Sequence, residues 1–314
     1  MGAKRCTLGL VLDFLTGRNQ KVFALHENDS DSSWSDTSCR APQGTKLAGI
    51  IFLAVINSLL NHHDDRYKFV DDLSIVLAYL VENTIITKQF SDQLLDQLKT
   101  KCSSHDLTIN VAKSKIIRFN PLKRNIDMPL VPSPIVNEIK ILGVTFTSDC
   151  SFSAHINLTV HKANASLQTL TKMRRFGCFT KSLLHAYTCY VHPLLEYACP
   201  VWGPSAIRTA YLLRDIECVQ KRATRIILRD HGIPYDQALA KLNLSPLKVR
   251  LEHLIHQFGK FILANKSHRS LLPEPAPPNS RSRLRNKLVP PKVRTNRYAN
   301  SFVPFFTSVF NAEL

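Results

Sequence analysis

The sequence predicts an α+β fold: an antiparallel sheet with packed helices, then an α-helical domain, then a basic tail without regular structure. Three observations carry this. Residues 66–149 read mostly as β-rich runs around one helix. Residues 152–265 repeat apolar side chains at the helical period of 3.6. From about Lys266 onwards, prolines and cations replace patterned sequence. The expected divisions are residues 1–149, 150–265 and 266–314.

A chain of 314 residues with 44% apolar side chains is long enough for two cores. A formal net charge of +17 points to polyanionic partners, either nucleic acid or an anionic membrane surface. The membrane reading is weak, because no stretch approaches the roughly 20 apolar residues of a spanning helix. Leu8–Leu12 is short and broken by Asp13, so it does not read as an export signal. The start resembles an acylation site, but Cys6 stands where Ser or Thr is required. The expectation is an intracellular chain, nuclear or cytoplasmic. Eight cysteines without a C-x-x-C pair read as reduced thiols. His253 and His256 lie one helical turn apart, but no partner ligands accompany them.

In chain order, a helical stretch ends at Phe14-Leu15-Thr16-Gly17-Arg18 and a strand follows at Lys21–Leu25. An acidic, Ser-rich loop leads to Pro42-Gln43-Gly44, and the apolar run Leu47–Leu60 predicts a buried helix. Tyr67–Val70 and Leu73–Leu77 predict a hairpin with Asp71-Asp72 at its tip. Leu94, Leu95 and Leu98 mark a helix over 91–102. Ile116, Ile117 and Phe119 form a strand, and Ile139–Phe146 another interrupted by Gly143. Ile156, Val160, Ala163, Leu167 and Leu170 line one helix, with Lys172, Arg174 and Arg175 at its end. Leu212, Ile216, Val219, Ala223 and Ile226 line another, with Lys221, Arg222 and Arg225 alongside. Between them Pro193 and Pro200 should split the apolar run Tyr187–Trp202. The basic residues of these helices and of Arg281–Arg297 read either as solvated faces or as phosphate contacts.

The chemistry centres on Phe69-Val70-Asp71-Asp72. Neighbouring carboxylates at a hairpin tip repel unless a cation sits between them, and a divalent metal removes that cost. An exposed acidic turn is the plain alternative. The surrounding segments bear on the choice. Phe14-Leu15-Thr16-Gly17-Arg18-Asn19-Gln20-Lys21-Val22, Ala41-Pro42-Gln43-Gly44-Thr45-Lys46-Leu47 with Phe52 and Ile56-Asn57, the Phe69–Asp72 box, Asn110-Val111-Ala112-Lys113-Ser114 and Leu142-Gly143-Val144 follow one another in order. This series resembles the palm of non-LTR retrotransposon (LINE/jockey-like) reverse transcriptases, and with the two segments that follow the resemblance covers about residues 14–230. His192-Pro193-Leu194-Leu195-Glu196-Tyr197-Ala198 with Trp202, and Val219-Gln220-Lys221-Arg222-Ala223, resemble the thumb that follows it.

The resemblance implies RNA-directed DNA polymerisation with Mg²⁺, deoxynucleoside triphosphates and an RNA–DNA template-primer. It implies that Asp71 ligates the metals with Asp72 in support, and that Gln43 and Gly44 lie against template or nucleotide. It sets Lys113 near the triphosphate, Phe69 and Arg18 against substrate or template, and Gly143 in the strand gripping the primer. Lys172, Arg174, Arg175, Lys221, Arg222 and Arg225 would hold nucleic acid. Gln43-Gly44 as a plain turn and Lys113 as a solvated lysine remain the alternatives. Departures stand beside these roles. Val70 replaces a small Ala, Ala48 and Ile50-Ile51 replace a frequent Gly-Pro pair, and no segment like the family's first aspartate motif (D-x-S-K-A-F-D) precedes Phe14. The expectation is therefore an incomplete palm, a thumb and a disordered tail, inactive by itself, with a non-enzymatic nucleic-acid-binding relic as the alternative.

Overall fold

The structure, a computed structural model, describes residues 5–23, 31–37, 45–60, 63, 65–77, 84–119, 134–277 and 287–313. The chain forms two compact units: Met1–Ser114 with Asn125–Pro134, and Lys115–Arg124 with Ile135–Leu314.

In the first unit, helix α1 (Arg5–Leu15) buries none of its residues. Gly17, at φ +62, ends it, and Arg18 Nε donates to the Leu15 carbonyl at 3.3 Å. Strand β1 is Asn19–Gln20, paired antiparallel with β2 (Ser35–Asp36). The strand expected at Lys21–Leu25 thus falls earlier, and part of that span lies outside the described residues. Helix α2 (Lys46–Ser58) is N-capped by Thr45, whose Oγ1 accepts from Ala48 N at 3.2 Å. Strands β3 (Arg66–Phe69) and β4 (Asp72–Ile75) form a hairpin, and α3 (Thr84–Ser103) follows. Ile56, Leu59, Leu60, Leu94, Leu98 and Cys102 make the core, with Leu73 and Ile75 packed against it.

The second unit begins with β5 (Ile116–Ile117), which pairs with β6 (Ile135–Val136) in parallel rather than antiparallel fashion. The span 139–146, expected as one strand, is a hairpin of β7 (Glu138–Ile141) and β8 (Val144–Thr147). Leu142 at φ +46 and Gly143 at φ +85 reverse the chain there, a two-residue turn that favours Gly at its second position. Among the described residues the strands make four separate pairs, not one continuous sheet.

Helices α4 (Ser153–Arg175), α5 (Thr180–Ala186), α6 (His192–Glu196), α7 (Cys199–Arg208), α8 (Ala210–Leu228), α9 (Tyr235–Leu242) and α10 (Leu247–Ala264) complete the bundle, with a π turn at Tyr187–Val191. Pro193 and Pro200 both sit in first turns, where a missing N–H costs nothing. Ile156, Ala163, Leu167, Leu170, Ile216 and Val219 are buried in the unit's main core, on the stripes that the 3.6 period marks.

Two expectations are corrected here. The β7–β8 hairpin, expected with the first region, belongs to the helical unit. Val144 is buried, Thr145 N donates to His155 Nδ1 at 3.3 Å, and the Tyr197 hydroxyl donates to the Leu142 carbonyl at 2.8 Å. The tail is also not structureless over 287–313. Helices α11 (Asn296–Ala299) and α12 (Phe302–Glu313) form there, and Phe306 is fully buried with Ile262, Leu272 and Leu288. Helix α10 admits that ring at Gly259, where a Cβ would lie 2.1 Å from Phe306 Cε2. Apolar burial of this kind offsets the ordering entropy that a basic, Pro-rich composition alone does not.

Candidate active-site hairpin

The β3–β4 register puts Phe69 opposite Asp72, leaving Val70-Asp71 as a two-residue loop. Asp71 alone therefore occupies the tip, and Asp72 is the first residue of β4. Pairing also sorts the side chains. Arg66, Lys68, Leu73 and Ile75 share one face, and Tyr67, Phe69, Asp72 and Ser74 the other. The first face is tied down. Lys68 Nζ donates to the Ile56 carbonyl at 2.6 Å, and Arg66 Nη1 donates to the carbonyls of Asn57 and Leu59. Two cations thus satisfy the orphan carbonyls at the C-terminus of α2, where the helix dipole also favours positive charge. Burial, then the neighbouring Arg66 charge, lowers the Lys68 pKa. The second face, with Phe69, Asp72 and the tip residue Asp71, is exposed.

Val70 takes φ +55, the left-handed region that a β-branched residue disfavours. The carboxylate-bearing tip therefore stores local backbone strain. Val70→Asn should relieve most of that strain, since Asn tolerates this conformation and little Val burial is lost. The expected gain is about 1 kcal/mol. Hydrogen exchange of the β3–β4 amides reads it directly, and unchanged protection would show the loop unstrained.

The Asn110–Ser114 segment is a tight turn organised by Asn110. Its Oδ1 accepts from Lys113 N at 3.1 Å, and its carbonyl accepts from Ser114 Oγ at 2.9 Å. Lys113 itself is exposed. Arg18 acts on its own helix end as described above, and Thr37 N and Oγ1 both donate to its carbonyl, joining the first strand pair. Gln43 and Gly44 lie outside the described residues. Asp71 and Asp72 offer the carboxylate oxygens that Mg²⁺ takes. Among the described residues, however, no group of three His, Cys, Asp or Glu side chains forms around a common point.

Residues 8–146 match the reverse transcriptase (RNA-dependent DNA polymerase) family. The match spans the α1–β1 segment, the α2 helix, the Asp71-Asp72 hairpin, the Asn110 turn and the β7–β8 hairpin. No curated protein and no solved structure matches the chain.

The second unit carries the other named residues. Gly143 lies under the Tyr197 ring, and a Cβ there would sit 3.1 Å from Tyr197 Cε1. Trp202, itself buried, donates from Nε1 to the Tyr197 carbonyl at 2.8 Å. Leu142-Gly143 and the Glu196-Tyr197 segment are therefore one packed corner, which the sequence shows only as two separate motifs. Lys172, Arg174 and Arg175 stand in the last turn of α4. Lys221 and Arg222 are exposed on α8. Arg222 and Arg225, expected on an outer face, line a groove against α4, and Arg222 Nη1 donates to Asn164 Oδ1 at 3.1 Å.

A buried polar network in this unit centres on Gln220, which the sequence shows only as part of a thumb-like motif. Tyr187 donates to Gln220 Oε1 at 2.7 Å, Gln220 Nε2 reaches the Ser245 carbonyl, and Tyr235 donates to Glu217. Burial pushes the pKa of both tyrosines well up. A polar Gln220 amid apolar positions of α8 was the one available sign. No described helix is long and apolar enough to cross a membrane.

Proposed function

We propose that the chain supplies the paired-aspartate hairpin and thumb of a reverse transcriptase of the non-LTR retrotransposon type, and that these residues by themselves hold a template-primer rather than extend it. One observation carries this reading. Within the span matching the family, Asp71 sits at an exposed two-residue tip whose opposite face is braced by Arg66 and Lys68 on α2. In a complete site of this kind Asp71, with Asp72 beside it, would hold Mg²⁺, whose charge would stabilise the phosphoryl oxygens, and Lys113 would offset charge on the triphosphate. Phe69, Arg18, Gln43 and Gly44 contact template or nucleotide. Gly143, under Tyr197, belongs to the hairpin that meets the primer.

The net charge of +17, with Lys172, Arg174, Arg175, Lys221, Arg222 and Arg225 on two packed helices, supports the binding role. It also favours the second reading, a nucleic-acid binder without catalysis. Both readings require an RNA–DNA duplex to bind without sequence preference. Affinity should fall on the order of a thousandfold between ~50 and ~200 mM salt, because phosphate contacts release counterions. Fluorescence anisotropy across that range is the measurement. A salt-insensitive affinity, or none at low salt, refutes both.

A further inference from the structure

The turn joining α4 to α5 exposes two phenylalanines more fully than any other large hydrophobic side chain among the described residues, Phe176 at 86% and Phe179 at 81%. Exposing such rings costs solvation, and folding offers no compensation. Gly177, at φ +81 with nothing within 4 Å of its would-be Cβ, lets the chain turn sharply between them. Arg174, Arg175 and Lys181 surround the pair, and no acidic residue occurs from 172 to 186.

A groove of about 450 Å³ between α4 and α8 approaches the same turn. On α4 it is lined by Asn164, Gln168 and Thr171, residues on one helical stripe that Arg175 extends by another turn. On α8 it is lined by Arg222 and Arg225, one turn apart, and one turn further on Arg229 Nη2 reaches the Cys178 carbonyl at 3.4 Å. Arg225 Nε is shut away from solvent without a hydrogen-bond partner. A buried guanidinium N–H left unpaired is costly, which marks Arg225 as held in place by the packing of the groove wall and not by a hydrogen bond at Nε.

We infer that the α4–α8 groove and the Phe176/Phe179 turn form a binding track for single-stranded nucleic acid. Backbone phosphates lie along Arg222, Arg225 and Arg175, and unpaired bases stack on the two rings. Cationic groove and aromatic platform are the two parts such a site needs, and the turn places them end to end. A flat anionic membrane would meet the phenylalanines but not the recessed arginine, which favours a flexible polyphosphate chain. This inference stands on the second unit alone. It separates from the duplex reading above because a paired base offers no free face to stack.

The full chain is titrated with a deoxythymidine oligomer carrying one 2-aminopurine, whose fluorescence reports stacking. Phe176→Ala and Phe179→Ala should each weaken binding on the order of tenfold and abolish the fluorescence change, with RNA–DNA duplex affinity unchanged. Phe179→Trp should restore both. Arg225→Gln should leave the stacking signal and make the salt slope shallower by roughly 0.7, the value of one single-strand phosphate. Both rings are exposed, so thermal unfolding of the alanine variants should match the parent and exclude misfolding. Unchanged oligomer affinity in the alanine variants overturns the inference, as does equal loss of oligomer and duplex. So does a loss confined to phosphatidylserine vesicles, which would assign the rings to a membrane.

Discussion

Primer extension on an RNA template is expected to yield no more product from the 314-residue chain than from its Asp71→Ala, Asp72→Ala variant, with Mg²⁺ or Mn²⁺ alike. Two-metal phosphoryl transfer derives nearly all its acceleration from positioning and metal electrostatics, and the metals need carboxylates from more than one element. Asp71 and Asp72 share a single hairpin, and no third metal-ligating side chain joins them among the described residues. A site holding half its ligands should lose several orders of magnitude in rate. The double variant is the control against a contaminating polymerase. Product that appears with the parent and vanishes with the variant would show a working site and end the binder reading.

The second large effect is structural. Glu196 is largely buried, and Arg250 grips it with two bonds, Nε to Oε1 at 2.5 Å and Nη2 to Oε2 at 3.1 Å. His192 Nε2 stands 3.6 Å from the same carboxylate, but burial lowers its pKa and keeps it neutral despite the opposing pull of Glu196. Arg250 is then the counter-charge. Arg250→Ala would leave a carboxylate in an apolar setting beside Tyr187, at a cost of about 3 kcal/mol. This is the lower end for a buried pair, since the Arg250 side chain is 38% exposed and partly screened. Adding Glu196→Gln should recover a good part of the loss, because the isolated charge disappears. Urea unfolding of the three chains measures it. A cost under 1 kcal/mol for the single variant would show the pair solvated.

The same pair illustrates how site and scaffold differ in legibility. Glu196 stood within a segment resembling a thumb, but nothing local marked Arg250, 54 residues later, as its partner. Gly259 reads locally as a weak point in a helix, whereas in the fold it is where Phe306 docks. The expectation of a disordered tail passed over a helical pattern at 302–313, where Phe302, Phe305, Phe306, Val309 and Phe310 repeat at helical spacing. The prolines and cations upstream concealed it. Arg66 and Lys68 were legible only as surface cations, because a single strand does not tell which helix end lies beneath it.

The sequence by itself determined where charge and apolar stripes fall, because helical and strand periods are local properties of consecutive residues. Hence the apolar faces of α4 and α8, the Asp71-Asp72 hairpin and the net positive charge were all readable in advance. Tertiary structure decided the rest. It set the register that puts Asp71 alone at the tip, with Asp72 inside the strand. It set Arg222 and Arg225 along a groove against α4, and placed the Leu142-Gly143 turn under Tyr197. Each of these depends on which distant surface is complementary in shape and hydrogen bonding, a property of pairs of segments that neither segment encodes alone.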